Sequence, residues 1–140
     1  MTKDEHIAAL TAQHCHPENM RWVKVEVLPD DVLDSCTKTE NESFFNSYMN
    51  VIYQRGDRYV LGFRCDESQV IDCAIIRRDG RYFDPTAQAN EVDFKPYDFA
   101  ILTEFSVFDV MRKTKSNKDF PPDVDYLRSH LKQYKNVLMS

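Results

Sequence analysis

The stretch that most constrains this chain is Arg58 to Thr86, RYVLGFRCDESQVIDCAIIRRDGRYFDPT. Tyr59 to Cys65 and Val70 to Arg77 are the two longest runs of strand-favouring residues, and Asp66-Glu67-Ser68-Gln69 between them predicts an antiparallel hairpin. The second run is nearly continuous in Ile, Ala and Cys, which predicts a strand covered on both faces near the middle of a sheet. Asp79-Gly80 then supplies the residues that a tight primed turn requires, since both central positions adopt positive φ. A third short run follows and stops at Asp84-Pro85-Thr86. The spacing predicts a meander of three strands.

The segments around the meander decide the fold class. Thr2 to Gln13 reads as a helix with a narrow stripe of Ile7, Ala8, Leu10 and Ala12. Met20 to Leu28 alternates, with Val23, Val25 and Val27 predicted to face a core. Asp30 or Asp31 is placed to cap a short helix through Cys36, and Thr39 or Asn41 to cap the next one. That next helix, Ser43 to Arg55, has a broad apolar face of Phe44, Phe45, Tyr48, Met49, Val51 and Ile52, with Gly56 where a C-cap often falls. The segment from Thr86 to Lys95 is polar, Tyr97 to Thr103 predicts a further strand, and Phe105, Phe108 and Met111 line one side of a helix start. Asn117 to Pro122 reads as a loop, and Asp123 as the cap of a last helix to about Val137. At 140 residues these elements predict one α+β domain, residues 1–140, with a central helix on a mainly antiparallel sheet.

Composition narrows the function classes. A formal charge of −5 argues against a nucleic-acid partner, because phosphate binding needs a clustered excess of Lys and Arg. Two local basic groups, Arg77, Arg78 and Arg81, and Arg112, Lys113, Lys115 and Lys118, read as solvated faces. The apolar runs are too short for a bilayer and the first residues lack a secretory apolar core, so a cytoplasmic location and no membrane partner are expected. Cys15, Cys36, Cys65 and Cys73 have no C-x-x-C spacing and are expected as free thiols. His14-Cys15-His16 lacks the second half of a zinc site and reads as a polar loop, so neither metal nor cofactor is expected.

Four segments taken together resemble small papain-like or transglutaminase-like proteins. They are Ser43-Phe44-Phe45-Asn46 opening a helix, Tyr59-Val60-Leu61-Gly62-Phe63, Cys73-Ala74-Ile75, and Asp79-Gly80-Arg81-Tyr82-Phe83-Asp84-Pro85-Thr86. In that family the matching segments are Cys-x-x-Asn, Tyr-Val-x-Gly-Tyr, His-Ala-Trp and Asp-Gly-x-x-x-Asp-Pro-Thr. The resemblance covers about a third of the chain. It implies a Cys-His-Asp arrangement in which Ser43 stands for the nucleophilic cysteine, Cys73 for the histidine and Asp84 alone keeps its type. A neutral thiol is a poor base for a serine hydroxyl, so the expectation is a binding or interaction protein on a papain-like scaffold that has lost catalysis. The alternative is a cysteine-dependent hydrolase or transamidase using a thiol such as Cys36 or Cys73, with His6, His14, His16 or His130 supplying the base to Cys36. Candidate binding residues are Asn46, Tyr82 and Trp22, drawn from the motif and from an aromatic supply of Trp22, Tyr48, Tyr53, Tyr59, Tyr82 and Tyr97 that suits a protein partner, a small ligand or a second copy of the chain.

Overall fold

The computed structural model describes residues 1–116 and 121–139. Part of the expected Asn117–Pro122 loop, with Lys118 of the second basic group, lies outside the described residues. The chain is α+β, and its sheet closes into a five-stranded barrel. The strands are β1 (Arg21–Glu26), β2 (Arg58–Cys65), β3 (Val70–Arg78), β4 (Arg81–Phe83) and β5 (Asp98–Ser106), in the order β1-β4-β3-β2-β5 with β5 returning to β1. All pairings are antiparallel except β1 with β4, a parallel contact in which Val25 faces Tyr82 and Glu26 faces Phe83. The predicted meander is β2, β3 and β4. Asp79 and Gly80 both adopt positive φ, 53° and 81°, so the residues at this turn are the ones its geometry requires.

Closure follows from the two faces of these strands. Val25 of β1, Val60 of β2, Cys73 and Ile75 of β3, Tyr82 of β4, and Phe99 and Ile101 of β5 form one buried cluster to which every strand contributes. That cluster fills the lumen. The alternate residues, among them Leu61, Phe63, Ala74, Ile76, Phe83, Ala100 and Leu102, form a second cluster under the helices. Gly62 belongs to the lumen face by alternation, and a Cβ there would lie 2.1 Å from the Ala100 carbonyl oxygen and 2.8 Å from the Phe99 ring. Glycine lets β2 and β5 close at that point. Just beyond it the β2–β5 register shifts: Leu61 faces Thr103 but Gly62 faces Ile101, leaving Leu102 without an opposite residue. The bulge returns Glu104 to the lumen face opposite Val60, and its Oε2 accepts the Tyr82 hydroxyl at 2.9 Å.

Among the described residues seven α-helices surround the barrel: α1 (Lys3–Ala12), α2 (Asp30–Ser35), α3 (Ser43–Ile52), α4 (Pro85–Asn90), α5 (Val107–Ser116), α6 (Val124–Ser129) and α7 (Leu131–Tyr134). The predicted central helix is α3, which packs on β3. Its C-cap is Tyr53 rather than the region of Gly56; Gly56 is instead needed because a Cβ there would lie 2.9 Å from Cβ of Ile76. In α1 the buried face is His6 and Leu10, while Ile7 is exposed, because the His6 ring nitrogen Nε2 finds the Asp66 carbonyl at 2.6 Å. Asp30 and Asp31 sit inside the first turn of α2 and do not cap it. Val27 falls beyond β1 and is exposed.

The polar segment from Thr86 to Lys95 begins inside α4. Two other expectations are corrected. Phe105 belongs to β5 rather than to a helix start, so that α5 buries Val110 and exposes Phe108 and Met111. The last helix breaks at His130 into α6 and α7, with Asp123 capping α6 through the Tyr126 amide at 2.8 Å. His14-Cys15-His16 ties the end of the chain down: Cys15 pairs with Leu138, the His16 amide donates to Val137 and the His14 carbonyl accepts from Met139. All four cysteines are free and buried. Among the described residues no helix is long and apolar enough to cross a membrane.

Candidate functional site

Lumen-facing positions at one end of the barrel carry polar groups in place of aliphatic ones. On β2 the alternation Val60, Gly62 ends in Arg64; on β3 Cys73 stands opposite Gly62; Asp84 follows Tyr82 of β4; and Tyr97 precedes β5. These four groups plug the barrel mouth. Asp84, only 4% exposed, accepts the Tyr97 hydroxyl on Oδ2 at 2.6 Å and the Ala87 amide on Oδ1 at 3.1 Å, the second bond capping α4. Arg64 forks onto Glu91 with 2.6 and 2.9 Å bonds, donates from Nε to Asp66 Oδ2 at 2.8 Å, and lies 4.5 Å from the Tyr97 ring centroid.

Outside this plug lies an open cleft of about 440 Å³, walled by the start of α3, the start of β3 and α4. Ser43, Cys73 and Asp84 all line it, with Phe44, Ile71, Asp72, Thr86 and Glu91. The three positions that the family resemblance singles out therefore share one site. Ser43 is the first residue of α3, and its Oγ accepts the Ala74 amide of β3 at 3.4 Å. Cys73 is 9% exposed. Burial is the main cause that pushes its thiol well above the ordinary value, and the neighbouring Asp84 charge acts in the same direction. Burial likewise raises the Asp84 carboxyl, against the opposing pull of the Tyr97 hydroxyl and the Ala87 amide. Among the described residues no hydrogen bond joins Ser43 to Cys73 or Cys73 to Asp84; the serine is engaged with β3 and the acid with Tyr97 and α4.

The other candidates fall elsewhere. Asn46 is fully buried one turn below Ser43, where its Nδ2 donates to the Thr39 carbonyl at 2.7 Å and to Thr86 Oγ1 at 2.9 Å. It holds the loop before α3 against α4 and supports the cleft wall from behind. Tyr82 is buried in the lumen with its hydroxyl on Glu104, and Trp22 is half-buried against the core with the Lys3 ammonium 3.2 Å from its ring centroid. Neither lines the cleft. Of the aromatic residues read as surface anchors, Tyr59, Tyr82 and Tyr97 are buried, and Tyr53 is exposed. Cys36 is buried at the end of α2, its Sγ donating to the Val32 carbonyl at 3.3 Å, and burial raises its thiol against the opposing pull of Lys38, Arg78 and Arg55. None of the four histidines lines the cleft.

Arg64, Asp72, Glu91, Glu40 and Ile71 are among the wall residues that sequence reasoning passed over. A signal for the first was present: Arg64 interrupts an apolar strand at the parity of Val60 and Gly62, where a guanidinium must find partners. No family model, curated protein or solved structure matches the chain.

Proposed function

We propose that this chain is a non-catalytic binding protein on a scaffold resembling the papain-like and transglutaminase-like enzymes, with the cleft over Ser43, Cys73 and Asp84 as its ligand site. One observation carries the reading: positions far apart in sequence, matched to a family's triad, line one open cleft while the groups that would perform the chemistry are absent from it. Nucleophilic catalysis needs a base that takes the proton of the hydroxyl. Cys73 stands where that base would be, and a thiol pushed up by burial stays protonated at neutral pH. Ser43 is left as an ordinary alcohol, its oxygen accepting a backbone N–H. The thiol alternatives fare no better, since Cys36 and Cys73 are both buried with raised values. Four free thiols suit a reducing compartment, so we read the protein as cytoplasmic.

Iodoacetamide labelling at neutral pH tests the absence of thiol chemistry. All four cysteines are expected to react more slowly than free cysteine, because each is buried. A single thiol labelled faster than free cysteine would mark an activated nucleophile and return the protein to the enzymes.

A further inference from the structure

The cleft has a charge pattern that selects among ligands. Its wall holds four carboxylates, Glu40, Asp72, Asp84 and Glu91, and one guanidinium, Arg64. That guanidinium is already spent on Glu91 and Asp66, and both oxygens of Asp84 are engaged inside the plug. Glu40 and Asp72 remain as exposed acids that enter no ion pair among the described residues. Partial burial raises the Asp72 carboxyl, and the charges of Asp123 and Asp125 act in the same direction. Negative charge is therefore concentrated here, and among the described residues no cation pairs with Glu40 or Asp72. Beside it the cleft offers apolar surface, the half-buried ring of Phe44 and Ile71, a residue 44% exposed near the start of β3.

One feature pulls the other way. The first N–H groups of α3 point toward the Ser43 end, and a helix N-terminus carries roughly half a positive charge, which would favour an anion. Two unpaired full charges outweigh one half charge, and the Ser43 end is partly shielded because Glu40 precedes the helix by a few residues.

Resting on the reading of this cleft as a binding site, we infer that it takes an alkylammonium or alkylguanidinium group, the cationic head on Asp72 and Glu40 and the methylene stem on Ile71 and Phe44. Lys and Arg side chains bind in this way, stem on apolar surface and head on acid. The same chemistry is presented by a free alkylguanidine and by an arginine in a peptide.

Amide-resolved NMR titration of the full chain with four probes separates the outcomes: butylguanidine, N-acetylarginine methylamide, neutral pentanamide and anionic pentanoate. Butylguanidine or the arginine derivative, each a single cation, is expected to shift the amides of Ser43, Ile71 and Cys73 saturably, the tighter of the two identifying a free or a chain-borne cation. Asp72→Asn and Glu40→Gln, both at exposed positions, should each weaken that binding about threefold, and about 1 M salt should weaken it further by shortening the screening length to about 3 Å. Pentanoate or pentanamide binding the same amides as tightly as the cations, or cation affinity indifferent to Asp72→Asn and Glu40→Gln, would overturn the charge inference and leave the binding site standing. Silence of these amides toward all four probes would overturn both.

Discussion

Asp84 shows how one side chain can join three parts of the fold. Its Oδ1 caps α4, its Oδ2 holds the Tyr97 hydroxyl at the start of β5, and the residue itself ends β4. Asp84→Ala would remove the cap, worth about 0.5–2 kcal/mol, and strand a buried phenol, worth about 1–3 kcal/mol. A loss of about 2–4 kcal/mol in urea unfolding is expected; a loss within error would mean that neither bond contributes. The pH dependence has a definite sign. Burial raises the folded-state value, so the ionised carboxylate is the form the fold disfavours. The penalty applies above the folded-state pKa and disappears as pH falls through it toward the unfolded value of about 3.9. Asp84→Asn keeps the acceptor for Ala87 and cannot titrate. The wild type should therefore gain stability relative to Asp84→Asn between neutral pH and about pH 4, and a difference that is flat or reversed would contradict the assignment.

The α4 helix is too short to stand by itself, and its place is fixed by side chains. Gln88 makes a two-way bond with the backbone of Leu28, Oε1 accepting its amide and Nε2 donating to its carbonyl, both at 2.9 Å. Arg64 holds Glu91 at the far end, and Asn46 reaches Thr86 at the near end. Gln88→Ala would leave both polar groups of a fully buried Leu28 backbone unpartnered, at about 1–3 kcal/mol. Hydrogen exchange should find the Leu28 amide deprotected while β2 and β3 are unchanged; retained protection would mean that water replaces the glutamine. This helix also marks a limit of sequence reading. Pro85-Thr86-Ala87-Gln88-Ala89-Asn90 has no apolar period, and the signal available was local: an acid before a proline is a cap followed by a favoured first helical residue. The β2–β4 meander was legible because its turn chemistry is local as well. The grouping of Ser43, Cys73 and Asp84 is what the family resemblance implies, and the three line one cleft, whereas the Asp84–Tyr97 bond and the Arg64–Glu91 fork depend on tertiary approach that no short-range pattern encodes.

Barrel closure is a property of the whole chain, and it is uneven around the circumference. β2 pairs with β3 over eight residues and with β5 over eight, whereas β1 meets β4 in two parallel pairs, Val25 with Tyr82 and Glu26 with Phe83. The sequence indicates neither the parallel contact nor the closure, since β1 and β4 are separated by two helices and most of the meander. Long ladders with a filled face on each side open only when the whole domain unfolds, while a short seam opens locally. Native-state hydrogen exchange is therefore expected to rank β2, β3 and the paired part of β5 at the global unfolding free energy, with β4 and the β4-facing amides of β1 exchanging through a smaller opening. Gln88→Ala should widen that gap, because the Gln88–Leu28 clamp bridges the chain just after β1 to the helix just after β4. Asp84 and the α4 wall of the cleft ride on the same seam, so a bound cation probe should narrow the gap by protecting β4. Uniform protection around all five strands, unaffected by Gln88→Ala, would show that closure is cooperative and that the seam is no weaker than the ladders beside it.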